Sequence, residues 1–221
     1  VGPHKTGTSA FQNFLVENEA WLKEKWGVSL GFRGHPKATG RDIGRPILHS
    51  DCEALTDDKS SGQQRTRQEL QKAIGFARSK LKSSSLVLLS SEAFSLFRNE
   101  NWECLRRIIG KDVCLSVAVL HRDMANWIAS SYAETTKNTS IPQSFATYLS
   151  KVFDATPDKI GETDKQLKLL DILEAHFPEN VVAASYDYLK ETNCSVAAYL
   201  ICNASLRMTG QLWKECRDSI N

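Results

Sequence analysis

Lys5 lies in a run of small, hydroxyl-bearing and turn-forming residues, Val1-Gly2-Pro3-His4-Lys5-Thr6-Gly7-Thr8-Ser9-Ala10. The run feeds straight into Phe11, Phe14 and Leu15, which are apolar at helical spacing. A tight loop entering a helix presents several backbone N–H groups and the positive end of the helix dipole. Lys5 adds a mobile positive charge, and Thr6, Thr8 and Ser9 add hydroxyl donors. Together these residues have the chemistry of a phosphate cradle.

Two further groups stand where chemistry is usually placed. The aliphatic run Leu86-Val87-Leu88-Leu89 ends in Ser90-Ser91-Glu92, so a buried strand delivers the Glu92 carboxylate at its carboxyl end. Ligands of open α/β sheets bind outside those carboxyl ends. A second run, Val113 to Leu120, ends in His121-Arg122-Asp123, and Ser130-Ser131-Tyr132 follows in the next helix. Arg122 has the planar fork that grips a phosphate dianion. Ser130, eight residues on, reaches the same anion if the ligand lies along the helix.

The nucleotide P-loop, G-x-x-x-x-G-K-[ST], offers one comparison for the first run. Gly2 and Gly7 keep its glycine spacing, but the lysine precedes Gly7 and Thr8 follows it. The loop keeps the anion cradle and moves the lysine. In that form, Pro3 to Ser9 resemble the 5′-phosphosulfate loop of sulfotransferases that use 3′-phosphoadenosine 5′-phosphosulfate (PAPS), roughly P-x-K-[ST]-G-[TS]-[TS]. Arg122 and Ser130 are similar to that family's 3′-phosphate element, although Arg122-Asp123-Met124 departs from its usual Arg-[ND]-Pro run.

The resemblance implies sulfuryl transfer from PAPS to an acceptor hydroxyl or amine, with no metal required. It implies that Pro3, His4, Lys5, Thr6, Gly7, Thr8 and Ser9 hold the 5′-phosphate side, and that Arg122 and Ser130 hold the 3′-phosphate. Lys5 is then catalytic through charge neutralisation. Glu92 stands where the cytosolic members carry a histidine base, and some carbohydrate sulfotransferases use glutamate there. Its other reading is as a residue that orients the loop. His49, His35 and His121 are the alternative bases. The His-Lys-Thr-Gly-Thr form points to a carbohydrate acceptor, with a small hydroxylated molecule left open.

Two other readings stand beside this one. A P-loop kinase or regulatory domain binding ATP or GTP fits the glycines but not the position of the lysine. A sulfotransferase-like domain that binds nucleotide or glycan without turnover fits every motif equally.

The elements needed to position these groups are legible in outline. Helices are expected at Ser9 to Lys25, Gln64 to Leu81, Asn101 to Ile109, Trp127 to Glu134, Ile141 to Phe153, Thr163 to His176 and Cys194 to Ile201, with Asp187-Tyr188-Leu189 entering a further one. Strands are expected at Val28 to Phe32, Ser85 to Ser90, Asp112 to Leu120 and Val181 to Tyr186. Alternating strands and helices imply an α/β domain, three-layer α/β/α with a central parallel sheet, and the resemblance makes it P-loop NTPase-like. Residues 31–61, rich in Gly, Pro, His and Arg, read as a long surface excursion on the acceptor side, with His35, Arg41, Arg45 and His49 as candidate contacts.

Composition bounds the rest. The 221 residues suit a single domain, 1–221, and a formal net charge of +2 excludes a strongly basic nucleic-acid binder. No run approaches the roughly 18 apolar residues of a membrane helix. A phosphate loop normally follows a buried strand, so a strand and any signal or anchor are expected ahead of Val1. The closing loop seen near the end of many family members is not recognisable before Asn221. Six cysteines without a C-x-x-C pair permit disulfides and make a structural zinc site a poor fit. Sequons at Asn138, Asn193 and Asn203 lean toward the Golgi lumen and secretory pathway, with the cytoplasm as the alternative.

Overall fold

Short aliphatic runs alternate with amphipathic segments along this sequence, and parallel strands joined by helices result. The computed structural model describes residues 8–31, 41–56, 63–137, 143–153 and 161–220. Thr8–Glu17 (α1) and Glu19–Trp26 (α2) replace the single helix expected from Ser9 to Lys25. They divide at Asn18, whose side-chain amide donates back to the Phe14 carbonyl at 2.9 Å and competes with continued helix. α2 stops at Gly27, which takes φ +66°, a left-handed cap that suits a residue without Cβ.

Val117–His121 (β3) begins five residues later than expected, whereas Val28–Leu30 (β1), Gln64–Leu81 (α5), Leu86–Leu88 (β2), Asn99–Ile109 (α6) and Met124–Lys137 (α7) fall close to expectation. So do Phe145–Phe153 (α8), Gly161–His176 (α9), Val181–Ser185 (β4), Tyr186–Glu191 (α10) and Val196–Ala198 (α11). A tight 3-10 turn, Glu92–Leu96, links β2 to α6. α11 continues through Tyr199–Ser205 in wider π-type turns, where Leu206 N–H donates five residues back to the Ile201 carbonyl at 2.9 Å. Gly210–Ile220 (α12) was not expected; Cys216 is its one fully buried residue.

Two expectations need correction. Residues 31–61 are not one loop, because Arg41–His49 (α3) and Cys52–Thr56 (α4) are helical. Gly44 and Pro46 read as breakers, yet Ile43, Ile47 and Leu55 are buried in the core. Gly44 is there for close approach: a Cβ would stand 3.1 Å from the Ala93 Cβ and 3.2 Å from the Phe94 ring. Second, residues 113–116 stay outside β3. The described strands form two parallel pairs, β1 with β2 and β3 with β4. β4 begins only at Val181, which is the register partner of Val117, so β3 has no ladder partner earlier.

Both faces of the strands are covered. Val117, Val119 and Val181 turn to a cluster built around Phe94, Phe97, Trp102 and Phe177. Ala118, Leu120, Val182 and Ala184 turn the other way, to Phe11, Leu15, Leu22 and Ile201. This alternation explains why the strands read as continuous apolar runs. Arg78 near the end of α5 forks onto Asp112 at 2.5 and 3.1 Å, and that hydrogen-bonded guanidinium holds the Asp112 carboxyl below its usual range.

Two disulfides staple the helices. Cys52–Cys104 joins α4 to α6 with Cα atoms 5.6 Å apart, and Cys202–Cys216 joins the π-type run to α12 at 5.8 Å. They span 52 and 14 residues. Loop-closure entropy alone makes the first worth about 4 kcal/mol and the second about 3 kcal/mol. Paired Cys52→Ser/Cys104→Ser should therefore lower the urea midpoint more than paired Cys202→Ser/Cys216→Ser, as equilibrium unfolding by fluorescence would read.

Candidate functional site

The carboxyl ends of the strands position the candidate residues, and they do so in two groups. In the first, α1 begins at Thr8, so the phosphate-cradle run enters a helix at the place expected. Pro3, His4, Lys5, Thr6 and Gly7 lie outside the described residues, as do the side chains of Thr8 and Ser9. One turn into α1, Gln12 Nε2 donates to Ser90 Oγ at 3.3 Å. That bond places the start of α1 beside the carboxyl end of β2. Ser90 and Ser91 are both buried at 8% exposure, unusual for serines without a structural task.

Ser91 has such a task. Its backbone is extended, and its hydroxyl accepts from the Ala93 N–H at 3.2 Å, capping the 3-10 turn. Glu92 is the first residue of that turn, four residues past Leu88 at the end of β2. Its backbone is thereby fixed, while its side chain lies outside the described residues.

The second group sits at the ends of β3 and β4, which are side by side because the two strands are parallel. Arg122 follows β3 directly, with its side chain only 16% exposed. Its Nε is 3.5 Å from Asp187 Oδ1, and its guanidinium lies over the Tyr186 ring, 5.3 Å from the centroid. Asp187 is in the first turn of α10, and its other oxygen accepts from the Asp123 N–H at 2.7 Å. Asp123 in turn caps α7, accepting from the N–H groups of Ala125 at 2.9 Å and Asn126 at 3.2 Å. Backbone, carboxylates and ring thus fix the guanidinium where β3 meets α7.

Ser130 is half-buried on α7, about 9 Å along the helix axis from Met124 at 1.5 Å per residue. His121 closes β3 and is half-buried. The two groups are joined through the second apolar cluster, which holds Phe11 and Leu15 of α1 together with Leu120 and Ala184 at the strand ends. The excursion candidates are more scattered. Arg45 and His49 are exposed on α3, the Arg41 side chain is outside the described residues, and so is His35.

Sequence reasoning missed Asp187 and Tyr186 as partners of Arg122. The available signal was position: both follow β4 at its carboxyl end, as Arg122 follows β3. Chemically, the second group offers a fixed cation beside a helix start, a setting for an anion. The first offers a helix start next to a carboxylate-bearing turn. Comparison with protein families, with functionally described proteins and with solved structures finds no match for this chain.

Proposed function

We propose that this chain is a PAPS-dependent sulfotransferase whose strands belong to a three-layer α/β/α, P-loop-like fold. The observation that carries the reading is Arg122. A nearly buried guanidinium stands at the carboxyl end of a parallel strand, held by Asp187 and Tyr186, directly ahead of a helix bearing Ser130. The motif spacing that marks a 3′-phosphate site in the sequence thus coincides with a built cation site in the fold.

The roles follow from charge. Bound PAPS supplies an activated sulfuryl group on its 5′-phosphate. Backbone N–H groups of Thr6 to Ser9 cradle that phosphate, and Lys5 neutralises charge at the bridging oxygen. Arg122 and Ser130 hold the 3′-phosphate and fix the nucleotide along α7. Glu92 takes the proton of the acceptor hydroxyl as the new S–O bond forms and the bond to phosphate breaks, leaving adenosine 3′,5′-bisphosphate. The acceptor is a carbohydrate in this reading. The test is transfer of labelled sulfate from PAPS to a panel of desulfated glycans; label on a glycan, lost in Lys5→Ala, supports it. No transfer to any glycan or small hydroxylated acceptor overturns the enzymatic reading and leaves a nucleotide-binding domain.

A secretory location goes with this reading and is supported by the two disulfides. Asn193 is exposed in the turn after α10, whereas Asn203 is half-buried within the π-type run. On secretion of Asn138→Gln from animal cells, glycosidase treatment should therefore still shift the mass through Asn193, and adding Asn203→Gln should leave that shift intact.

A further inference from the structure

α1 is fastened to the rest of the fold in two ways. Phe11 and Leu15 are buried against Ala197, Leu200 and Ile201 in the second apolar cluster. Apolar packing of this kind is non-directional. A hydrogen bond is directional and weakens steeply as its angle closes. Gln12 makes one, donating from Nε2 to Ser90 Oγ at 3.3 Å across 78 residues of sequence.

Both ends of that bond sit on fixed backbone. Gln12 is half-buried and follows the buried Phe11 on α1. Ser90 is buried two residues past the end of β2. Its neighbour Ser91 accepts from the Ala93 N–H at 3.2 Å and caps the turn that begins at Glu92. Gln12 comes four residues after Thr8, where α1 begins, a rise of about 6 Å. Glu92 comes two residues after Ser90, at most about 7 Å of backbone. The entry to the cradle and the backbone of Glu92 are thus both tied to one point, the Ser90 hydroxyl.

We propose that Gln12 is a positioning residue, which acts through Ser90 to set the separation between the phosphate cradle and the Glu92 turn, a role that rests on the sulfuryl-transfer reading. In-line transfer needs the sulfuryl donor, the acceptor oxygen and the base in register together, and a misplacement of about 1 Å costs about 100-fold. The cradle and the base arrive on separate elements, α1 and the turn after β2. Gln12 carries no charge and takes no proton. Its contribution therefore falls on the rate of the chemical step and not on nucleotide affinity.

The test compares Gln12→Leu, Ser90→Ala and the double variant with the wild type. Three quantities are read for each: the single-turnover rate with saturating PAPS and a mixture of desulfated glycans, the affinity for adenosine 3′,5′-bisphosphate, and the thermal midpoint. Gln12→Leu should lower the rate by about 10-fold or more and leave the affinity within about twofold. Ser90→Ala should do the same, and the double variant should be no slower than either single one, because all three remove one bond. Should Gln12→Leu fail to fold, Ser90→Ala carries the test alone, since it removes the same acceptor with a smaller change. A lowered midpoint with an unchanged rate would make the bond purely structural and overturn the proposal. Losses that multiply in the double variant, or an affinity that falls in step with the rate, would also overturn it. A wild type that transfers no label overturns the sulfuryl-transfer reading and this role together, whereas an active wild type with an equally active Gln12→Leu removes only this role.

Discussion

Glu92→Gln should lower the single-turnover rate of sulfuryl transfer by at least about 100-fold while leaving nucleotide affinity within about twofold. Glutamine keeps the shape and hydrogen-bonding reach of glutamate but takes no proton. The backbone that carries residue 92 is set by neighbours, through the Ser91 cap on Ala93 N–H, so the substitution leaves the turn in place. The residue comes two positions after Ser90, to which Gln12 of α1 donates. Quenched-flow measurement with saturating PAPS separates chemistry from binding. A turnover rate unchanged in Glu92→Gln would remove Glu92 from proton transfer and pass that role to His49 or His121.

Arg122→Ala should weaken adenosine 3′,5′-bisphosphate binding by about 100-fold or more. Two charge-assisted hydrogen bonds from guanidinium to phosphate are together worth about 3 kcal/mol or more, and every 1.4 kcal/mol is tenfold in affinity. Arg122→Lys should recover only part of the loss, because a point charge does not reproduce the fork. The fold should survive both changes, since Asp187 still accepts from the Asp123 N–H and Asp123 still caps α7. Titration calorimetry at fixed ionic strength reads the effect. Equal affinity in wild type and Arg122→Ala would show that the guanidinium serves only its Asp187 pair.

The strands and the long helices were legible because burial on both faces leaves an uninterrupted aliphatic run, and burial on one face leaves a 3.6-residue stripe. Val117 to Leu120 and Gln64 to Leu81 are such cases. What was not legible depended on partners distant in sequence. α3 hid behind Gly44 and Pro46; Gly44 is small because α3 approaches Ala93 and Phe94 closely. α12 hid because it has one fully buried residue, Cys216, which a disulfide ties to Cys202. Residues 113–116 look like strand by composition, but β4 begins too late to pair with them. At the site, the strand-end positions of Glu92 and Arg122 were readable from local pattern. Asp187 and Tyr186 were not, since their approach to Arg122 requires β4 to lie beside β3.

The most direct test of this account is calorimetric titration of the protein with adenosine 3′,5′-bisphosphate in EDTA, alongside Lys5→Ala and Arg122→Ala. The account predicts metal-free binding that both substitutions weaken, Arg122→Ala by about 100-fold or more. A folded protein that takes up no bisphosphate, or that binds ATP with magnesium in its place, would contradict it.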